Sequence, residues 1–190
     1  CMDQYFYEEK NDIWVTTWNK LYNLSFLREF HIHFLEHVYH EDIVMHAMLA
    51  LNTRSFTLTS QTTYLYNCKR EDSITNMEQG YTLKHLNDLT IVFSEIRRLI
   101  QADNNLSKHL QKEINLYYLF EIYHRYLPAM YSNIKRVDLI KGLARLSQNC
   151  LPPILETRLT FKSIKRFLFL KLPFNIQYLI KSHKYKKSRV

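Results

Sequence analysis

Gly80 and Gly142 are the only glycines in a chain of 190 residues. Backbone that must turn with positive φ, or let a phosphate come close, defaults to glycine. A G-x-G-x-x-G turn needs three glycines, and a Walker A loop needs two of them five positions apart, whereas these two stand 62 apart. The chain is therefore held to a mainly helical architecture, and phosphate-cradling loops of those two kinds are excluded. It has the means to fold: 46% of its residues are hydrophobic and 14% aromatic, well above what a disordered chain carries. The length suits one domain, or one domain with a small appendage.

Helical periodicity fills most of the second half. Leu86, Leu89, Phe93, Ile96 and Ile100 fall on one face of a helix predicted over 83–101. A second helix is predicted over 106–131, limited near its end by Pro128, and a third over 136–149. The run C-L-P-P-I-L breaks the pattern, and a basic amphipathic helix over 158–172 stops at Pro173. Nearer the N-terminus, Leu21, Phe26, Leu27 and Phe30 suggest a helix over 18–30, and residues 31–40 read as irregular or extended. A helix over about 41–51 opens with Glu41 and Asp42, which suit the positive end of its dipole, and carries Met45, Met48 and Leu49 as an apolar stripe. Two stretches read as strands: I-W-V-T-T (13–17), and 55–68, where Phe56, Leu58, Tyr64 and Tyr66 alternate with polar residues. The expected fold class is thus α/β with few strands over residues 1–76, followed by an all-α region over 77–190, and helical overall. Two or three short strands do not make a self-sufficient sheet. There is no internal repeat, and no apolar run approaches the length of a membrane span.

The formal charge of +8 is unevenly placed. Glu156 is the last acidic residue; residues 157–190 hold ten Lys and Arg and no carboxylate, leaving 16 basic against 18 acidic before them. A nucleic-acid partner is not expected, since the charge is terminal, no binding motif occurs, and the aromatics sit at core-like spacing. In 158–172, Phe161, Ile164, Phe167, Leu168 and Leu172 are interleaved with Lys162, Lys165, Arg166 and Lys171. Two readings stand: a helix lying on an anionic membrane surface, where each basic residue contributes about 1 kcal/mol, or a core helix followed by a solvated basic end. Cys1, Cys68 and Cys150 are odd in number and far apart, which implies neither a zinc site nor a disulfide framework and points to a reducing, cytoplasmic compartment. No secretory signal pattern is visible at the N-terminus. The opening Cys1-Met2 leaves either a start at Met2 or a piece of a longer protein.

Residues 31–46 concentrate His31, His33, His37, His40 and His46 with Glu36, Glu41 and Asp42. His33 and His37, and Asp42 and His46, have the i, i+4 separation that zinc ligands use on a helix. No H-E-x-x-H occurs, so the histidines are read as solvated or hydrogen-bonded groups at a helix start, with no metal assigned. Taken alone, Glu41 and Asp42 complement the helix dipole for less than ~1 kcal/mol.

Four features in order change that reading of the carboxylates: W-N-K-L-Y-N-L-S-F-L (18–27), F-L-E (34–36), H-E-D (40–42) opening an apolar helix, and Y-L-Y-N-C-K-R-E-D-S-I-T (64–75). The set, over residues 13–76, resembles the second half of family 2 glycosyltransferases of the GT-A fold, as found in bacterial surface-polysaccharide clusters. The resemblance implies transfer of a sugar, with inversion, from a nucleotide-sugar to a polysaccharide or lipid-linked acceptor, at the inner face of the cytoplasmic membrane. It implies Asp42 as catalytic base, with Glu41 orienting or supporting it. Trp18, Lys20, His40 and Arg70 are implied to line the acceptor or diphosphate side; read from the residues alone, Trp18 is rather a core residue and Lys20 and Arg70 solvated cations. The first half of such enzymes is missing here: the V-I-I-P-x-Y-N strand, the D-D-G-S segment, the A-R-N helix and the metal-holding D-x-D. No D-x-D occurs in these residues. The expectation is an acceptor-side portion, inactive alone and without a cofactor of its own, Mn or Mg belonging to the full-length enzyme. A non-catalytic helical interaction or membrane-surface module is the alternative.

Overall fold

In the computed structural model of the protein, residues 17–57, 59, 61, 65 and 81–187 are described, with side chains as far as residue 181. Helix α1 (Leu24–Glu29) is shorter than the periodicity over 18–30 suggests. Its start is fixed by Asn23, whose side-chain oxygen accepts the N–H groups of Ser25 (2.9 Å) and Phe26 (3.3 Å). An asparagine used as a cap is one the helix cannot run through. Ahead of it the chain bends, and the Tyr22 hydroxyl donates to Thr17 O at 3.1 Å.

Helices α2 (Glu41–Asn52), α3 (Leu83–Ala102), α4 (Lys108–Met130) and α5 (Arg136–Asn149) form the body. Their starts follow capping chemistry: Thr82 accepts from the His85 N–H at the head of α3, and Ser107 from the Leu110 N–H at the head of α4. A short 3-10 turn (Ile154–Glu156) then leads to α6 (Phe161–Lys171) and α7 (Phe174–Lys187). A reciprocal box of Thr160 and Ser163 opens α6. Pro173 ends α6 and lends its carbonyl to the first turn of α7, a helix not separated from the tail by sequence. Among the described residues there is no strand. Thr17 lies in a bend, residues 55–57, 59, 61 and 65 are not in strands, and the rest of both expected strands falls outside the described residues.

Helix α3 sits at the centre, packed against α5 on one side and α2 on the other, and α4 carries α6. Its predicted face is the core: Leu86, Leu89, Phe93, Ile96 and Ile100 are all buried. At Gly142 the α5 backbone comes so close to Leu86 that an added Cβ would overlap that side chain. Helix α2 differs from the expected stripe, since every residue from Ile43 to Ala50 is buried. A helix apolar all round belongs inside a fold. One continuous core thus takes Ile32 and α2 from the first 76 residues and α3–α6 from the rest.

The break after α5 is held by polar contacts. The Asn115 side chain donates to Glu156 O (2.7 Å), and Arg158 pairs with buried Glu113 (3.1 Å). Gln177 of α7 is buried too. Its amide nitrogen donates to Phe169 O (2.8 Å) and its oxygen accepts the Tyr126 hydroxyl (2.6 Å), which joins α7 to α6 and α4. Burial pushes the Tyr126 phenol up to about 12.

Candidate functional site

The histidine-rich segment before α2 is shaped by its backbone. His31, His37 and His40 have φ of 50°, 62° and 65°, a region where histidine is tolerated better than most side chains. The first turns of α3 clamp this segment. Buried Asp88 accepts the Tyr39 N–H (2.9 Å) and pairs with Lys84, whose ammonium also donates to His37 O (3.0 Å). The Tyr39 ring lies flat on His85 with centroids 4.1 Å apart. His40 is left as the residue that turns the chain into α2, with no side-chain capping bond of its own.

Glu41 and Asp42 occupy the first turn of α2, half-buried. Burial raises the Asp42 carboxyl above its ordinary value; Arg125 opposes the rise, neighbouring Glu41 adds to it, and the N–H groups of Asp42 and Ile43 oppose it. The result is a carboxylate more basic than a solvated one, with a cation and two amides favouring its ionised form. Lys20, from the bend before α1, lies near enough to sense the Asp42 charge. Burial lowers its ammonium to about 8, with Asp42 acting to raise it.

Arg125 comes from α4, far along the sequence. Its Nη1 is 3.4 Å from His40 Nδ1 and its Nη2 3.4 Å from Glu121. A guanidinium only donates, so Nδ1 accepts and the neutral His40 ring carries its proton on Nε2. Burial, followed by the charge of Arg125, lowers His40 to about 4. One turn into α2, His46 is fully enclosed beside the Tyr117 ring (6.0 Å), and burial lowers it to about 3, with Lys20 adding to the shift. No sequence signal marked Arg125 or Glu121 apart from an i, i+4 pair that resembles any solvated pair.

Of the residues singled out by sequence, His40, Glu41 and Asp42 stand together at one helix start, and Lys20 is gathered to them. Trp18 is 42% exposed and so is not a core residue. Arg70 lies outside the described residues. The five histidines do not converge: among the described residues no three His, Cys, Asp or Glu side chains could hold a metal ion. The charged neighbours of Asp42 include Lys20 and Arg125, which suits a proton acceptor or an anion better than a divalent cation. A cleft of ≈ 570 Å³ opens at the far end of α2, between Phe30, Leu51, Arg54 and Asp103. It is separated from Asp42 by most of the helix, roughly 15 Å at 1.5 Å per residue, and is no part of the carboxylate site. No family model, no curated protein and no solved structure matches the chain.

Proposed function

We propose that the chain is the acceptor-side portion of an inverting glycosyltransferase that moves a sugar from a nucleotide-sugar to a polysaccharide or lipid-linked acceptor. In that reading residues 1–76 belong to a GT-A-like α/β domain and 77–190 form its helical C-terminal region. The observation that carries it is the setting of Asp42: a half-buried carboxylate at a helix start, raised in basicity by burial and kept ionised by Arg125 and the first-turn amides. A general base needs both properties, since it must be unprotonated yet able to take a proton.

The step follows from that group. The acceptor hydroxyl gives its proton to Asp42 as its oxygen bonds to the anomeric carbon. The bond from that carbon to the nucleoside diphosphate breaks on the opposite face, and its electron pair leaves on the diphosphate oxygen. Glu41 keeps the Asp42 pKa high, while His40 and Arg125 fix the helix start on which Asp42 stands. Stabilising the departing diphosphate falls to the half with the D-x-D sequence and its metal. The proposed place of action is the cytoplasm, at the inner face of the membrane.

Two measurements test the reading. In the enzyme complete with its donor half, Asp42→Asn lowers transfer by about 100-fold or more while donor affinity is kept. Turnover near that of the unaltered enzyme would remove Asp42 from the role. For the chain alone, calorimetry with nucleotide-sugars and Mn²⁺ gives no heat of binding; micromolar affinity would place the donor site in these residues instead.

A further inference from the structure

Helix α6 has two apolar sides, and only one of them is used. Ser163, Phe169 and Leu170 are buried, and Phe167 packs against the core. Phe161, Ile164, Leu168 and Leu172 are 82%, 41%, 58% and 37% exposed. Phe161, Ile164 and Leu168, at i, i+3 and i+7, draw one stripe along the helix, and Leu172 stands just past its end. At 3.6 residues per turn, Lys165 and Lys171 fall on the two flanks of that stripe. Helix α7 repeats the arrangement: Gln177 is buried, and Ile176, Leu179 and Ile180 are exposed.

The basic side chains are sorted by direction. Those turned inward are engaged: Arg158 with Glu113 (3.1 Å), Arg166 over the Phe120 ring (3.8 Å), and Lys181 with the Tyr123 hydroxyl (2.6 Å). Lys162, Lys165 and Lys171 are exposed; Lys165 and Lys171 flank the stripe, with the Lys171 ammonium 5.8 Å from the Phe167 ring. No carboxylate occurs in 157–190 to neutralise them, whereas the preceding residues are slightly acidic.

We propose that this outer face of α6, continued by α7, docks on an anionic phospholipid surface. The stripe enters the boundary between headgroups and acyl chains, and the flanking lysines stay at the level of the phosphates. Charge complementarity selects this occupant. A second copy would set one row of lysines against another. A nucleic acid would leave an aliphatic stripe facing phosphate and sugar. Crossing the bilayer is not the mode, since no described helix is long and apolar enough to do so. The inference rests on α6 and α7 alone and stands or falls separately from the role of Asp42.

Flotation of the chain with lipid vesicles tests it. The chain should bind vesicles of equimolar phosphatidylcholine and phosphatidylglycerol, bind phosphatidylcholine alone far less, and lose binding as salt rises. Lys165→Gln with Lys171→Gln should weaken the partition about 30-fold, from ~1 kcal/mol per basic residue. Ile164→Ser with Leu168→Ser should weaken it at least ~10-fold, while Val137→Ser, an exposed apolar position on α5, should leave it unchanged. All variants alter exposed positions, so matching thermal melts establish that they are folded. Equal binding to both vesicle types, or none to either, overturns the proposal. So does binding to duplex DNA that follows the lysines and ignores the serine changes. Self-association abolished by Ile164→Ser and Leu168→Ser would assign the face to a second copy.

Discussion

Around the start of α2, Asp42 and His40 are drawn partly out of water and His46 almost wholly; along α6, Phe161 and Leu168 are left largely in it. The first region costs free energy because charge loses its solvation, the second because apolar surface keeps its water. Nothing else in the fold requires either arrangement. Helix α2 is apolar enough to pack without Asp42, and α6 is already anchored through Phe169, Leu170 and the Gln177 contact. A scattered exposed leucine is ordinary; buried polar groups and contiguous exposed apolar ones are the informative departures. Here they occur at opposite ends of the described chain, and each carries one of the two proposals.

The largest test of the contrast is acid. His46 and His40 are neutral in the fold because burial depresses them to about 3 and about 4, whereas an unfolded imidazole titrates near 6.5. The unfolded chain therefore binds more protons across that window. Stability is full above pH ~6.5 and falls as pH drops towards these depressed values, by several kcal/mol at ~1.4 kcal/mol per unit. Urea midpoints measured from pH 7 to pH 4 should show the fall, and His46→Leu should remove about half of it, the rest belonging to His40. A flat profile would mean that the start of α2 is wetter than described.

Asp88→Ala should come next, at about 2–3 kcal/mol, because it strips the Tyr39 N–H and Lys84 of their shared acceptor. Denaturant unfolding reads the loss. Gln177→Leu, on the inner side of α7, should cost about 1–2 kcal/mol by leaving the Tyr126 hydroxyl unpaired, while Phe169 O keeps the Leu172 N–H. Leu179→Ser, two residues further along the same helix but outward, should change stability by less than ~0.5 kcal/mol. If Gln177 and Leu179 gave equal effects, the two-sided description of this end of the protein would fail.

The helical body was legible because its signal is local and repeated, a 3.6-residue apolar period that Pro173 ends; the caps Thr82 and Ser107 came only with the structure. Helix α1 was overestimated, although Asn23, its cap, stood in plain view among apolar residues at helical spacing. Helix α7 was overlooked because Ile176, Leu179 and Ile180 are not the side it buries, so no amphipathic pattern points inward. The α/β reading of 1–76 finds no strand among the described residues. At the site, H-E-D was found through a resemblance, whereas Arg125 and Asp88 depend on α4 and α3 folding back over the start of α2. Contacts separated by 85 and 49 residues leave no trace in spacing.

The positive φ angles at His31, His37 and His40 bear on how this region is to be probed. Alanine scanning assumes that truncation leaves the backbone indifferent, but alanine enters the left-handed region less readily than histidine does. An alanine at His37 or His40 would therefore report conformational strain together with the lost ring, and a weakened protein would pass for a lost catalytic group. Asparagine at the same positions keeps the turn and removes the imidazole without that strain, and glycine does so at a cost in chain entropy. In this segment those are the substitutions that separate what a histidine does from where it permits the chain to go.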